Sequence, residues 1–157
     1  MPKTFVAAVA ALLAALAAPS AASAMVQIDR GIAGARLGNT RAEVRAALGK
    51  PSKVINGSND FGPFTSFRYR GGLLVNFQGR RRVSSVSTNG RGDRTASGVG
   101  VGSSEAAVKE RVKGVKCETI VGIRSCHTND FTIGQRVTDF IIKNGKVTRI
   151  SVGRVLD

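Results

Sequence analysis

Gly34-Ala35-Arg36-Leu37-Gly38-Asn39-Thr40-Arg41-Ala42-Glu43-Val44 returns 64 residues later as Gly98-Val99-Gly100-Val101-Gly102-Ser103-Ser104-Glu105-Ala106-Ala107-Val108. Gly34, Gly38, Ala42 and Val44 recur unchanged, and Leu37 and Thr40 are replaced by the similar Val101 and Ser104. Working outward, the same offset pairs Arg45 with Lys109, Leu48 with Val112, Phe77 with Ile141 and Arg82 with Lys146. It also pairs Val83 with Val147, Val86 with Ile150 and Ser87 with Ser151, with no gap at any matched position. A period of this length reads as one supersecondary unit used twice.

Each unit opens with a glycine-rich entry into a short helix. Thr40-Arg41-Ala42-Glu43 has the form of a capping box, in which side chain and backbone bond reciprocally. Val44, Ala47 and Leu48 then share one helical face, and Gly49 and Pro51 end it. In the second unit Ser103 or Ser104 caps, and Val108 and Val112 repeat the apolar face. Helices this short need a partner surface. Strand patterns supply it. Residues 65–70 alternate, with Phe67 and Tyr69 opposite Ser66, Arg68 and Arg70. Residues 73–77 and 83–88 flank a turn at Gly79-Arg80-Arg81. Residues 137–142 and 147–152 flank Asn144-Gly145, a strong hairpin signal. Residues 117–126 read as a further hairpin pivoting near Gly122.

The expected fold class is therefore α+β: two tandem units, each of one or two short helices followed by an antiparallel three-strand meander, with the helices on one face of the sheet. The expected division is 1–24, a leader; 25–89, the first unit; 90–97, a linker; and 98–157, the second unit. Residues 56–63 read as a polar loop.

The string Gly34-x-x-Leu37-Gly38-x-Thr40-x-x-x-Val44-x-x-x-Leu48-Gly49-x-Pro51, followed by strands, resembles the helix-then-meander unit of the small outer-membrane-assembly lipoproteins. Its tandem use is similar to the β-lactamase inhibitory protein family. The resemblance implies two units whose sheets together form a curved protein-binding face.

Lys3, the apolar run 5–18, Pro19 and Ala22-Ser23-Ala24 have the layout of a secretory signal peptide with an A-x-A cleavage site. Cleavage would take Lys3 and no acid, lowering the formal charge from +14 to +13. No later segment approaches the length of a membrane span. The expectation is a secreted, extracellular or periplasmic protein of bacterial type. Two cysteines in such a chain, Cys117 and Cys126, are expected to form one disulfide.

The residues offer little for catalysis. The acids are scattered, and the single His127 is expected on a surface loop. Gly98 to Ser103 resembles a phosphate cradle but lacks the βαβ context. No catalytic residue, metal or cofactor is expected. Arg91-Gly92-Asp93 spells a tripeptide that Arg and Gly abundance explains. The basic clusters carry more. Arg80, Arg81 and Arg82, with Lys143 and Lys146, occupy equivalent hairpin tips, and are expected to form one basic region that binds an anionic partner. Phe64, at the end of the polar loop, is a further candidate contact. The expected function is a secreted non-enzymatic binding protein that recognises a protein or an anionic cell-envelope polymer, not nucleic acid, through its sheet face and basic tips. The alternative is a small secreted hydrolase or lytic accessory enzyme.

Overall fold

A computed structural model describes residues 25–79 and 81–156; the expected leader, 1–24, lies outside them. The described residues form twelve β-strands and two α-helices. Strands β1 (Met25–Gln27), β2 (Gly31–Ile32) and β3 (Ala35–Arg36) precede helix α1 (Arg41–Leu48). Four strands follow: β4 (Lys53–Asn59), β5 (Gly62–Arg68), β6 (Leu73–Gln78) and β7 (Ser85–Thr88). Strand β8 (Arg94–Thr95) then leads to helix α2 (Glu105–Arg111). The chain closes with β9 (Lys116–Ile120), β10 (Ile123–His127), β11 (Arg136–Lys143) and β12 (Lys146–Arg154).

These strands make two sheets. The larger has eight strands in the order β4-β5-β6-β7-β12-β11-β10-β9, every neighbour antiparallel. The smaller has the order β3-β2-β1-β8, with β1 and β8 parallel. The α+β expectation is therefore corrected: the chain is mostly β, and its helices are only eight and seven residues long. Four strands, not three, follow each helix. The expected loop 56–63 is the hairpin joining β4 to β5, and the expected linker contains β8. Both corrections have a physical cause. Strand β4 is an edge strand carrying Lys53, Asn56, Ser58 and Asn59, and edges are kept polar to discourage pairing with other chains. The strands of the small sheet are two or three residues long, too short to show a period.

The helix entries form as their residues dictate. Thr40 Oγ1 accepts from the Glu43 amide (3.3 Å), and Glu43 Oε2 accepts from the Thr40 amide (2.6 Å). Ser104 caps α2 by accepting from the Ala107 amide (3.1 Å). Val44 and Val108 are fully buried. Around these entries the main-chain bonds recur at the offset of the sequence. Gly38 N donates to Val83 O (2.9 Å) and Val83 N to Asn39 O (2.8 Å). Gly102 N donates to Val147 O (2.8 Å) and Val147 N to Ser103 O (2.8 Å). At the middle of the large sheet Ser87 pairs with Ser151, the very position the offset equates with it. Strands β7 and β12 thus cross a local two-fold point.

Strand pleating sends alternate side chains to opposite faces. One face of the large sheet carries Phe67, Val75, Phe77, Val86, Ile150, Val152, Phe140 and Cys126, all buried. They join one core with Val44 and Val108 from the helices and Val26, Ile32 and Val99 from the small sheet and its approach. Phe67 and Phe77 meet edge to face at 4.8 Å, and the Arg45 guanidinium lies over Phe67 at 4.9 Å. Burying each such ring contributes about 1.5–3 kcal/mol.

The two ends of the chain are tied by Asp29, in the turn between β1 and β2. Its carboxylate accepts from Thr128 Oγ1 (2.5 Å), Thr138 Oγ1 (2.9 Å) and Asn129 Nδ2 (3.0 Å). Its amide donates to Thr138 Oγ1 (2.6 Å).

Candidate functional site

The other face of the large sheet carries the polar side chains. Ser66, Asn76 and Ser85 lie in register across β5, β6 and β7, and are linked from Ser66 Oγ to Asn76 Oδ1 (2.6 Å) and from Asn76 Nδ2 to Ser85 Oγ (3.0 Å). Ser87, Ser151, Asp139 and His127 form the next row of the same face, across β7, β12, β11 and β10. Among the described residues neither helix nor the small sheet packs on this side, because both sit on the apolar face.

Grooves cross this open face, and two of them bear on the candidate site. The first, of about 410 Å³, is lined by Arg68, Leu74, Ser87, Asn89 and Arg149. Arg68 pairs with Leu74 and Leu74 with Ser87, so Arg68 and Arg149 flank the centre of the sheet from either side. Among the described residues neither arginine has an acidic partner within ion-pair distance. Two free guanidiniums facing a polar groove suit carboxylate or phosphate, which the planar fork can bind bidentately. The second groove, of about 320 Å³, is lined by Phe61, Phe64, Asn76, Gln78 and Ser85. Phe64, expected from sequence as a contact, is half-buried there beside Gly57, where a Cβ would come within 2.6 Å of its ring.

His127 is not on a surface loop, as sequence reasoning expected. It ends β10 with 1% exposure. Nδ1 lies 2.8 Å from the Asn129 carbonyl oxygen, Nε2 lies 2.8 Å from Glu118 Oε1, and Phe131 covers the ring at 4.6 Å. Both nitrogens face oxygens, a geometry in which the protonated ring can donate from each side. Burial works against that charge, yet the Asn129 carbonyl and the Glu118 carboxylate prevail and hold the His127 pKa above its ordinary value. Asp139 lies opposite His127 on β11; burial raises its carboxyl, with Ser125 and His127 pulling the other way. Both ring nitrogens are thus engaged within the protein. A signal for this cluster was present in the sequence: once Cys117 pairs with Cys126, the hairpin register brings Glu118 and His127 to the same face.

The disulfide Cys117–Cys126 forms as expected, across β9 and β10. Glu105 approaches its sulfurs, but these are oxidised, and the carboxylate is held by Arg124 and Lys109. Those bonds, first that of Arg124 and then that of Lys109, pull the Glu105 pKa down to about 2. This group is not a ligand set for a metal.

The basic tips do not meet. Arg80 lies outside the described residues. Arg81 is exposed, and Arg82 donates through Nη1 to the Gly38 carbonyl (2.9 Å), which makes it part of the helix entry. Lys143 and Lys146 are exposed beside the Asn144-Gly145 turn. The amide of Arg154 donates to Ser84 O, which puts the turn of the arginines at the far end of β12 from Lys146. Eight residues of strand separate them, roughly 26 Å. The expectation of one basic region is corrected, and the cause is the local two-fold point, which sends equivalent turns to opposite ends of the sheet.

No family model and no curated protein matches the chain. Among solved structures it is similar to the uncharacterized protein yfeY from Escherichia coli, with TM-score 0.54, 15% identity, and 80% of this chain and 97% of that one covered. It is similar to a DUF4309 family protein, YjgB, from Bacillus subtilis (TM-score 0.51, 15% identity, 78% and 84% covered). It is also similar to an extracellular protein containing a SCP domain from Bacillus anthracis (TM-score 0.52, 10% identity, 75% and 44% covered). The chain thus spans less than half the length of that SCP-domain protein. At these identities the likeness is one of fold alone. No helix of the described residues is long and apolar enough to cross a membrane.

Proposed function

We propose that this chain is a secreted, non-enzymatic binding protein that holds an anionic partner, an acidic protein or an anionic envelope polymer, against the open face of its eight-stranded sheet. The observation that carries the reading is the groove between Arg68 and Arg149, two arginines on either side of Ser87 that have no acidic partner among the described residues. The formal charge of +14 favours the same class of partner. The disulfide suits an oxidising destination.

The test is salt elution of the purified protein from two matrices, one bearing a glycerol-phosphate polymer and one bearing polyglutamate. The parent is retained on at least one of them. The variant Arg68→Gln/Arg149→Gln elutes at clearly lower salt from the matrix that retains the parent, with an unchanged melting curve. Equal elution of parent and variant overturns the reading. The retaining matrix distinguishes a phosphate from a carboxylate partner.

A further inference from the structure

We propose that the tip of the β9–β10 hairpin, Ile120-Val121-Gly122-Ile123, together with Lys143 and Lys146, docks the protein onto an anionic lipid surface. This goes beyond the open-face reading and uses none of its residues.

The tip is apolar where a hairpin is ordinarily polar. Ile120 is 43% exposed, Val121 96% and Ile123 56%. Single exposed aliphatics are ordinary on a protein surface; three on one protruding turn are not. Backbone geometry sharpens the point. Val121 has φ 48° and Gly122 φ 78°, a two-residue turn in the left-handed region. The adjacent hairpin solves the same problem with Asn144 (φ 52°) and Gly145 (φ 71°), the residues such a turn favours. A β-branched residue in that region is strained, and strain of this kind marks functional positions. The chain therefore carries a valine at a fully exposed turn against the local preference of its own backbone.

The tip is also braced. Cys117 and Cys126 are bonded across the two strands beneath it. Arg124, one residue past the tip, is tied to Glu105 on α2. Ordering a rigid tip costs little entropy on docking.

Cations stand next to it. Arg124 pairs with Ile142, so the tip and the Asn144-Gly145 turn project from the same end of the sheet. Lys143 and Lys146 are exposed there, and among the described residues no acid lies within ion-pair distance of either. A convex aliphatic wedge flanked by lysines matches a bilayer interface. The aliphatics enter the acyl boundary, while the ammonium groups stay at the level of the phosphates. A protein partner would have to offer an apolar pocket with an acidic rim, and that is the competing outcome of the test.

The chain has no tryptophan, so Val121→Trp introduces a single indole reporter. The experiment mixes the protein with vesicles of phosphatidylglycerol or of phosphatidylcholine and follows co-sedimentation and indole emission. The parent sediments with the anionic vesicles and not with the neutral ones. The indole emission shifts to the blue and is quenched by brominated acyl chains. The variant Ile120→Ser/Val121→Asn/Ile123→Ser, whose Asn suits the turn, loses at least tenfold in partitioning. Lys143→Gln and Lys146→Gln each lose about fivefold. Arg68→Gln/Arg149→Gln placed on the indole-bearing chain keeps the blue shift and the acyl-chain quenching, and the tip variant still binds the polyanion matrix, so the two proposals fail separately. The lipid proposal is overturned if the parent ignores anionic vesicles, as it would with a protein pocket as the target. It is equally overturned if the apolar variant binds like the parent, which would reduce the effect to bulk charge.

Discussion

At the scale of the residue, His127 couples stability to pH. Its folded pKa is raised, so its contribution is fully present below its ordinary value of 6.5 and is lost as pH rises through the higher folded value. The melting temperature should therefore fall as pH climbs above 6.5 through the raised folded value, by an amount that His127→Phe abolishes. Glu118→Gln should move the imidazole proton resonance titration of His127 to lower pH; an unchanged titration would rule out the pairing. Glu105 acts at the other extreme. With its pKa lowered to about 2, its contribution is present above its ordinary value of 4.5 and disappears only as pH falls toward 2. Val121 is a residue whose replacement should help stability. Val121→Asn relieves left-handed strain and should raise the urea midpoint, with a gain of up to about 1 kcal/mol.

Among the elements, the β9–β10 hairpin depends most on a covalent bond. Replacing both cysteines, Cys117→Ser/Cys126→Ser, frees a short loop in the unfolded chain and should cost about 2.7 kcal/mol in the chain-entropy account. A urea midpoint within error of the parent would refute that. What the sequence revealed about the elements follows from local chemistry. Thr40 with Glu43, Ser104, and Asn144 with Gly145 announce caps and a turn, because in each the side chain or the backbone preference acts within a few residues. What it concealed depends on distant partners. Strand β4 looks like loop because its outer edge faces water and must stay polar. Strand β8 is two residues long and is defined by its parallel neighbour β1, some seventy residues earlier. His127 looked like a surface residue because burial by Phe131 and the bond to Glu118 exist only after the hairpin closes. Of the candidate site, Phe64 lies on the open face, Arg68 shows in the sequence only as the polar side of a strand, and Arg149 carries no local signal beyond its place in residues 147–152.

For the whole molecule the seam between β7 and β12 is decisive. It joins the two halves through Ser85–Gly153, Val86–Val152, Ser87–Ser151 and Thr88–Ile150. Cutting there exposes the fully buried Val86, Ile150 and Val152. Residues 25–89 expressed alone should show no cooperative melt, and a transition matching the full chain would contradict this dependence. The clamp at Asp29 works across the same divide. Asp29→Ala leaves Thr128, Thr138 and Asn129 without their shared acceptor and should cost about 2–3 kcal/mol, read by denaturant unfolding.

That clamp also sets an order in time. Asp29 precedes Thr128 by 99 residues and Thr138 by 109. A chain made from its N-terminus at ~5–20 residues per second exposes Asp29 roughly 5–20 s before Thr138 exists. During that interval the first turn has nothing to hold, and the strands of the first half wait with an open edge. Completion of the fold is therefore tied to release of residues 128–138. Contacts so far apart in sequence also slow closure. A chain built this way cannot complete its fold until residues 128–138 have been made.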